Sequence, residues 1–212
     1  MNKIELKSIE KSFKSIQVLK SISAEFHSGM IYGIIGNNGS GKTMLLRVIS
    51  GLVYPNSGKV LINEKELSKG EILGSLGIII EKPSFFESMT AEENLQILAS
   101  LQGKIGLIEI NDVLHKVELF EERNKKVSKY SLGMRQRLAF AQAIMENSDI
   151  LLLDEPTNGL DKHGIQAVHQ ILREEKAAGK LIIITSHNPL DIEELCDEVY
   201  EIDGGRMTKY EN

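Results

Sequence analysis

One cysteine in 212 residues, Cys196, excludes an internal disulfide and suits a reducing compartment. Its surroundings, DIEELCDEVY, are acidic and disfavour a thiolate, so the residue reads as an inert structural thiol. Long apolar runs are missing too. None approaches the ~20 residues needed to cross a bilayer, and the longest, ILLL at 150–153 and LIII at 181–184, have the length of buried strands. The opening stretch MNKIELKSIEKSF alternates apolar and charged residues, without the apolar centre of a signal peptide. A basic surplus is absent as well. Twenty-five Lys and Arg against thirty Asp and Glu leave a net charge of -5, which counts against nucleic acid as a partner. No internal repeat, low-complexity tract or linker divides the chain. What is there is an ordinary globule, 42% hydrophobic and 26% charged, long enough to bury roughly 70% of its unfolded surface. If it works at a membrane, another chain must do the spanning.

The periodicities change along the chain. KIELKSI and QVLKSISAEF alternate with period two and read as strands, and MIYGII reads as a buried strand. TMLLRVISGL has helical spacing, SGKVLINEKEL reads as a turn and short strand, and LGIII at 76–80 is a buried strand stopped by Pro83. From Thr90 the pattern becomes helical: Thr90 and Glu93 offer a capping box for AEENLQILASL, followed by IEINDVLHKVEL and SLGMRQRLAFAQAIM. Strand and helix then alternate through DILLLD, HGIQAVHQILREEKAAG, KLIIITS, PLDIEELC and EVYEI. Strands apolar at every position, separated by helices, imply a parallel sheet covered on both faces. The expectation is a single α/β unit over 1–212 with a helical insertion at about 84–145, and no regulatory domain after EVYEIDGGRMTKYEN.

GNNGSGKT, residues 36–43, lies between a predicted strand and helix and matches G-x-x-x-x-G-K-[ST]. Gly36, Gly39 and Gly41 let the backbone N–H groups of Asn37, Asn38 and Ser40 and their neighbours turn inward around an anion. The helix entered at Lys42 adds the positive end of its dipole. Lys42 reaches the outer phosphates and Thr43 offers its hydroxyl to Mg²⁺, so the loop holds a nucleoside triphosphate. Such a loop needs an acid at a neighbouring strand tip. Asp154, ending DILLLD, fills that place, and Glu155 beside it suits a general base for the attacking water. Asp161 is a further candidate, whereas Asp149, at the strand's opposite end, faces solvent. His187 follows KLIIITS at the end of a strand in the same sheet, where it can steady the water.

YSLGMRQRLAFAQAIM is similar to the LSGGQ signature that precedes the acidic strand in the nucleotide-binding subunits of ABC transporters, and the chain resembles that family over nearly its whole length. The resemblance implies a P-loop NTPase core with an N-terminal antiparallel β subdomain and the inserted helical subdomain. It implies ATP and Mg²⁺ as cofactors and an integral-membrane permease as partner, with the chain peripheral at the cytoplasmic face of the membrane. It implies too a head-to-tail pairing, with itself or with a second ABC subunit, in which Ser131 and Gly133 complete the ATP site of the other copy. Asn158 to Asp161 correspond to the loop that communicates across that dimer, His187 to the switch histidine, and Phe13 to the ring that stacks on adenine. Phe85, Phe86 and Met89 lie where the permease docks. Two departures stand out. Glu81 replaces a glutamine and brings a full charge to the metal site, making it a candidate metal ligand. Leu132 and Met134 replace a glycine and a glutamine of the signature, so some of its polar contacts are missing. Both departures resemble the bacitracin and lantibiotic export and immunity branch. A non-transport ABC ATPase acting on DNA or ribosomes is the alternative. The acidic charge, the single cassette and the mere fifty residues between Glu81 and Ser131 count against it.

Overall fold

The structure is a computed structural model that describes residues 2–71, 76–81 and 84–210. The chain opens with β1 (Lys3–Phe13) and β2 (Ile16–His27), an antiparallel hairpin. β4 (Ser57–Ile62) and the short β5 (Lys65–Glu66) extend it into a four-stranded antiparallel sheet ordered β2-β1-β4-β5. The second sheet has six strands in the order β10-β9-β3-β8-β7-β6. Its members β3 (Ile31–Ile35), β6 (Leu76–Ile79), β7 (Ile150–Asp154), β8 (Leu181–Thr185) and β9 (Glu198–Asp203) run parallel.

The helices are α1 (Lys42–Ile49), α2 (Ala91–Gln102), α3 (Leu107–Lys116), α4 (Leu132–Ile144), α5 (Lys162–Ala177) and α6 (Pro189–Leu195). None of the described helices is long and apolar enough to cross a membrane.

The uninterrupted apolar strands have a simple physical reason. Successive side chains of a strand point to opposite faces, and both faces of this sheet are covered. Ile31, Leu151, Leu153, Ile182 and Ile184 join one buried cluster with Leu95, Leu114, Leu138 and Phe140 of the helices. Tyr32, Ile34, Leu152, Leu181 and Ile183 join another with Leu45 and Leu46 of α1 and Ile4, Leu6 and Phe26 of the antiparallel sheet. Burying each such aliphatic side chain stabilises the fold by about 1.5–3 kcal/mol. α4 lies so close on β6 that a Cβ at Gly77 would sit 2.0 Å from the carbonyl oxygen of Ala143.

The α2 capping box forms: Thr90 Oγ1 accepts from the Glu93 N–H at 3.1 Å, and Glu93 Oε2 accepts from the Thr90 N–H at 2.7 Å. Buried Asn94, one residue on, donates to the carbonyls of Phe86 and Thr90 and accepts from the Phe86 N–H. That single side chain shapes the turn carrying Phe86 and Met89. Phe85 packs against the helical cluster, whereas Phe86 is 58% exposed.

Two local expectations change, and a third is untested. A tenth strand, β10 (Arg206–Lys209), pairs antiparallel with β9 through a turn at Gly204 and Gly205, both at positive φ. Its sequence, RMTK, is too polar to announce a strand, and only the two-glycine hairpin turn marks it. KLIIITS stops being strand at Thr185, so His187 stands in the loop beyond β8 rather than at its last position. Pro83, the expected terminator of β6, lies outside the described residues.

Cys196 Sγ lies where a Cβ at Gly33 would come within 2.7 Å of it. Burial, reinforced by the carboxylates of Asp191 and Asp197, pushes the thiol up to about 12. Since only the thiolate is nucleophilic, Cys196 in the folded protein should resist iodoacetamide at mildly alkaline pH and label fully in denaturant. Mass spectrometry checks this, and rapid labelling of the native chain would contradict the packing described.

Candidate functional site

The C-terminal ends of β3, β7 and β8 lie in register, with Ile34 opposite Thr185 and Asp154 opposite Thr185. Loops leaving neighbouring parallel strands at one edge form the crevice in which such sheets bind ligands. Residues 36–41 leave β3 and turn into α1. Gly36 sits at φ 143°, where a Cβ would lie 2.2 Å from the Ile202 carbonyl oxygen, so the loop requires glycine there. Gly41, at φ 119°, caps α1 without a side chain. Lys42 is 7% exposed, and its ammonium donates to the carbonyls of Gly36 at 2.7 Å and Asn37 at 3.3 Å. Ser40 Oγ is buried with no hydrogen-bond partner among the described residues. A buried cation, an unpartnered hydroxyl and a helix N-terminus in one loop make a site for an anion.

The acidic side meets it directly. Asp154 Oδ2 accepts from Thr43 Oγ1 at 2.7 Å, and Oδ1 accepts from Thr185 Oγ1 at 2.5 Å. Glu155 has left-handed backbone, φ 51°, uncommon for a residue with a side chain. Its neighbours hold it there. The Glu155 N–H donates to the Thr185 carbonyl at 3.1 Å and Oγ1 at 3.0 Å. Gln136 Nε2 of α4 donates to the carbonyls of Glu155 at 3.2 Å and Pro156 at 2.9 Å. The turned carboxylate meets His187, whose Nδ1 is 2.7 Å from Glu155 Oε2.

Glu81 also has left-handed backbone and lines the same cleft of about 370 Å³ as Lys42, Thr43, Asp154 and Glu155. Its carboxylate is ion-paired with Arg47 on α1. Thr43, Asp154 and Glu81 are all oxygen donors, and among the described residues no three His, Cys, Asp or Glu side chains cluster as a metal cage. That chemistry fits Mg²⁺, which keeps waters and takes one or two carboxylates plus substrate phosphates. It does not fit a buried transition metal.

The remaining sequence candidates lie apart from this cleft. Asp149 is exposed at the far end of β7. Phe13 is 48% exposed at the tip of the β1–β2 hairpin, paired with Ile16 and approached by the Lys11 ammonium 5.2 Å from its ring centre. It does not line the cleft, whose wall from the antiparallel sheet is Val18.

Ser131, Gly133 and Asp161 gather around a second cleft, of about 570 Å³, that among the described residues shares no lining residue with the first. Ser131 caps α4, its Oγ accepting from the Met134 N–H at 3.2 Å. Tyr130 before it is buried, its hydroxyl donating to the Glu122 carbonyl at 2.8 Å. Burial, with the Glu122 carboxylate, pushes that phenol up to about 12. Asp161 caps α5, accepting from the Gly164 N–H at 2.9 Å. Leu132, 60% exposed, lies over Gly159, where an added Cβ would be 2.8 Å from it.

Sequence reasoning missed Gln136 and Thr185. Thr185 left a trace, as the polar residue closing the run IIIT. Gln136 left none, being one polar residue among several on a helix.

A family model described as ABC transporter matches residues 19–158. The chain is 46% identical over 96% of its length to the ABC transporter ATP-binding protein YybJ of Bacillus subtilis (strain 168), covering 94% of that protein. It is 38% identical to the bacitracin transport ATP-binding protein BcrA of Bacillus licheniformis, across 96% of this chain and 68% of that one. Identity is 32% to the lantibiotic transport ATP-binding protein SrtF of Streptococcus pyogenes, across 96% and 88% respectively. A solved ATP-binding subunit of an ABC transporter superposes with a TM-score of 0.87 at 27% identity, over 98% of this chain and 89% of that one. With phosphate loop, acidic strand tip and signature helix in place, and the family model matching most of its length, the chain belongs to the ABC transporter family as one of its ATP-binding subunits.

Proposed function

We propose that this chain hydrolyses ATP to drive a membrane permease, working as a head-to-tail pair at the cytoplasmic face of the membrane. The observation that carries the reading is Glu155: an acid held in a left-handed turn beside Asp154 and Thr43, its carboxylate bound by His187. The loop of Gly36, Asn37, Asn38, Gly39, Ser40 and Gly41, with Lys42, receives the phosphates. Thr43, Asp154 and Glu81 are the residues that would hold Mg²⁺, which when bound offsets charge on the phosphate oxygens. Glu155 takes a proton from the water that attacks the γ-phosphorus, and His187 fixes the orientation of that base. As the new P–O bond forms, the bond to the bridging oxygen breaks, and ADP and phosphate leave.

The separation of the two clefts supports the pairing. Ser131, Gly133 and Asp161 cannot serve the phosphate loop of their own chain if they line a different cleft, and a second copy supplies a use for them. Phe13 is proposed to stack on adenine at the rim. The names of BcrA and SrtF support an exporter or immunity system for antimicrobial peptides as the transporter class.

Glu155→Gln should lower ATP turnover at least ~100-fold while leaving ATP bound. Light scattering should then show an ATP-dependent dimer. A variant that stays monomeric with ATP, even alongside its permease, would sink the pairing. Exposed Phe86 is the proposed anchor for the permease. Phe86→Asp should therefore abolish co-purification with that membrane protein and leave ATP affinity of the isolated chain within about twofold; retained co-purification would place the docking surface elsewhere.

A further inference from the structure

Beneath the two reacting loops lies a buried polar cluster that none of the proposed catalytic or binding residues enters. Asp191 of α6 and His169 of α5 are both 0% exposed. Asp191 Oδ2 accepts two hydroxyl hydrogen bonds at 2.6 Å each, one from Thr157 and one from Ser186. Its Oδ1 faces His169 Nε2 at 2.7 Å. The other ring nitrogen, Nδ1, is 3.3 Å from Glu194 Oε2. Ser186 Oγ in turn accepts from the Asn188 N–H at 3.0 Å.

The placement of those hydroxyls carries the argument. Thr157 stands two residues after Glu155, and Ser186 immediately before His187. One carboxylate oxygen therefore grips the loop of the proposed base and the loop of the histidine that orients it. His187 is 65% exposed at its side chain, so little packing holds it. Its location follows from the residues on either side, Ser186 and Asn188, and both are tied into the cluster. A buried carboxylate without a partner would be strongly unfavourable, and His169 supplies the facing donor.

We infer that Asp191, held by His169, is a positioning residue that sets the Glu155–His187 contact by clamping Thr157 and Ser186. The inference rests on the proposed roles of Glu155 and His187 and deepens them.

Thr157→Val and Ser186→Ala each remove one hydroxyl while leaving the His169–Asp191 pair intact, so folding should survive. In single-turnover hydrolysis with protein in excess, each should slow turnover about tenfold, with ATP affinity by calorimetry within about twofold of the parent. Thr157→Ser, which restores the hydroxyl, should recover most of the rate. Turnover within twofold of the parent in the Thr157→Val/Ser186→Ala double variant would overturn the inference, as would a rate loss matched by an equal loss of ATP affinity. Glu155→Gln measured in parallel separates the two levels. If it abolishes turnover while the hydroxyl variants do not slow it, only the clamp falls; if it turns over normally, the assignment of the base falls and takes the clamp with it.

Discussion

The carboxylate of Asp154 joins two strand ends to the first turn of α1. It terminates β7, accepts from Thr43 where the chain has passed from β3 into α1, and accepts from Thr185 at the end of β8. Thr185 goes on to hold the Glu155 N–H, so the proposed base takes its position from the acid beside it. Parallel pairing of β3, β8 and β7 brings the three ends to one edge of the sheet, and two apolar faces buried under helices and antiparallel sheet keep them there. The hydrogen bonds at the tips are few and net modest individually. They can be decisive because the sheet has already removed the freedom of the groups they join.

The same economy places one helix against both clefts. α4 begins at the signature cap, Ser131, and little more than one turn later presents Gln136 to the carbonyls of Glu155 and Pro156. One helix thus touches the surface proposed to meet a partner's nucleotide and the backbone of the proposed base for the chain's own. Gly133 and Leu132 lie against Gly159, in the turn between that base and Asp161. A rigid helix and a short loop link the two, with no long path of side chains between them.

Much of this was legible in the sequence because it is local. The glycine pattern of 36–43, the apolar run ending in Asp154, and the Thr90–Glu93 cap each depend on residues a few positions apart, where spacing maps directly onto geometry. What stayed hidden depends on pairs remote in sequence. His169 lies in α5 and Asp191 in the first turn of α6, and only folding brings them to 2.7 Å. Gln136 and the Glu81–Arg47 pair belong to the same class. β10 escaped for a different reason: an exposed edge strand needs no apolar alternation, so composition cannot reveal it.

Glu81 shows why charge alone does not assign a role. A glutamate in place of a glutamine adds an acid to a cleft that already holds Asp154 and Glu155. Without compensation, those like charges would oppose one another and repel a polyphosphate. Arg47, in the last turn of α1, offsets the added charge. Yet the Glu81 side chain is 61% exposed, and an ion pair so open to water is worth about 1 kcal/mol or less. A divalent cation near Thr43 and Asp154 offers a carboxylate a stronger partner than a solvated guanidinium does. On the proposed reading the acid that pairs with Arg47 would turn to Mg²⁺ when the metal is bound. A neutral glutamine would have no comparable pull toward either partner, which is the physical difference the substitution makes.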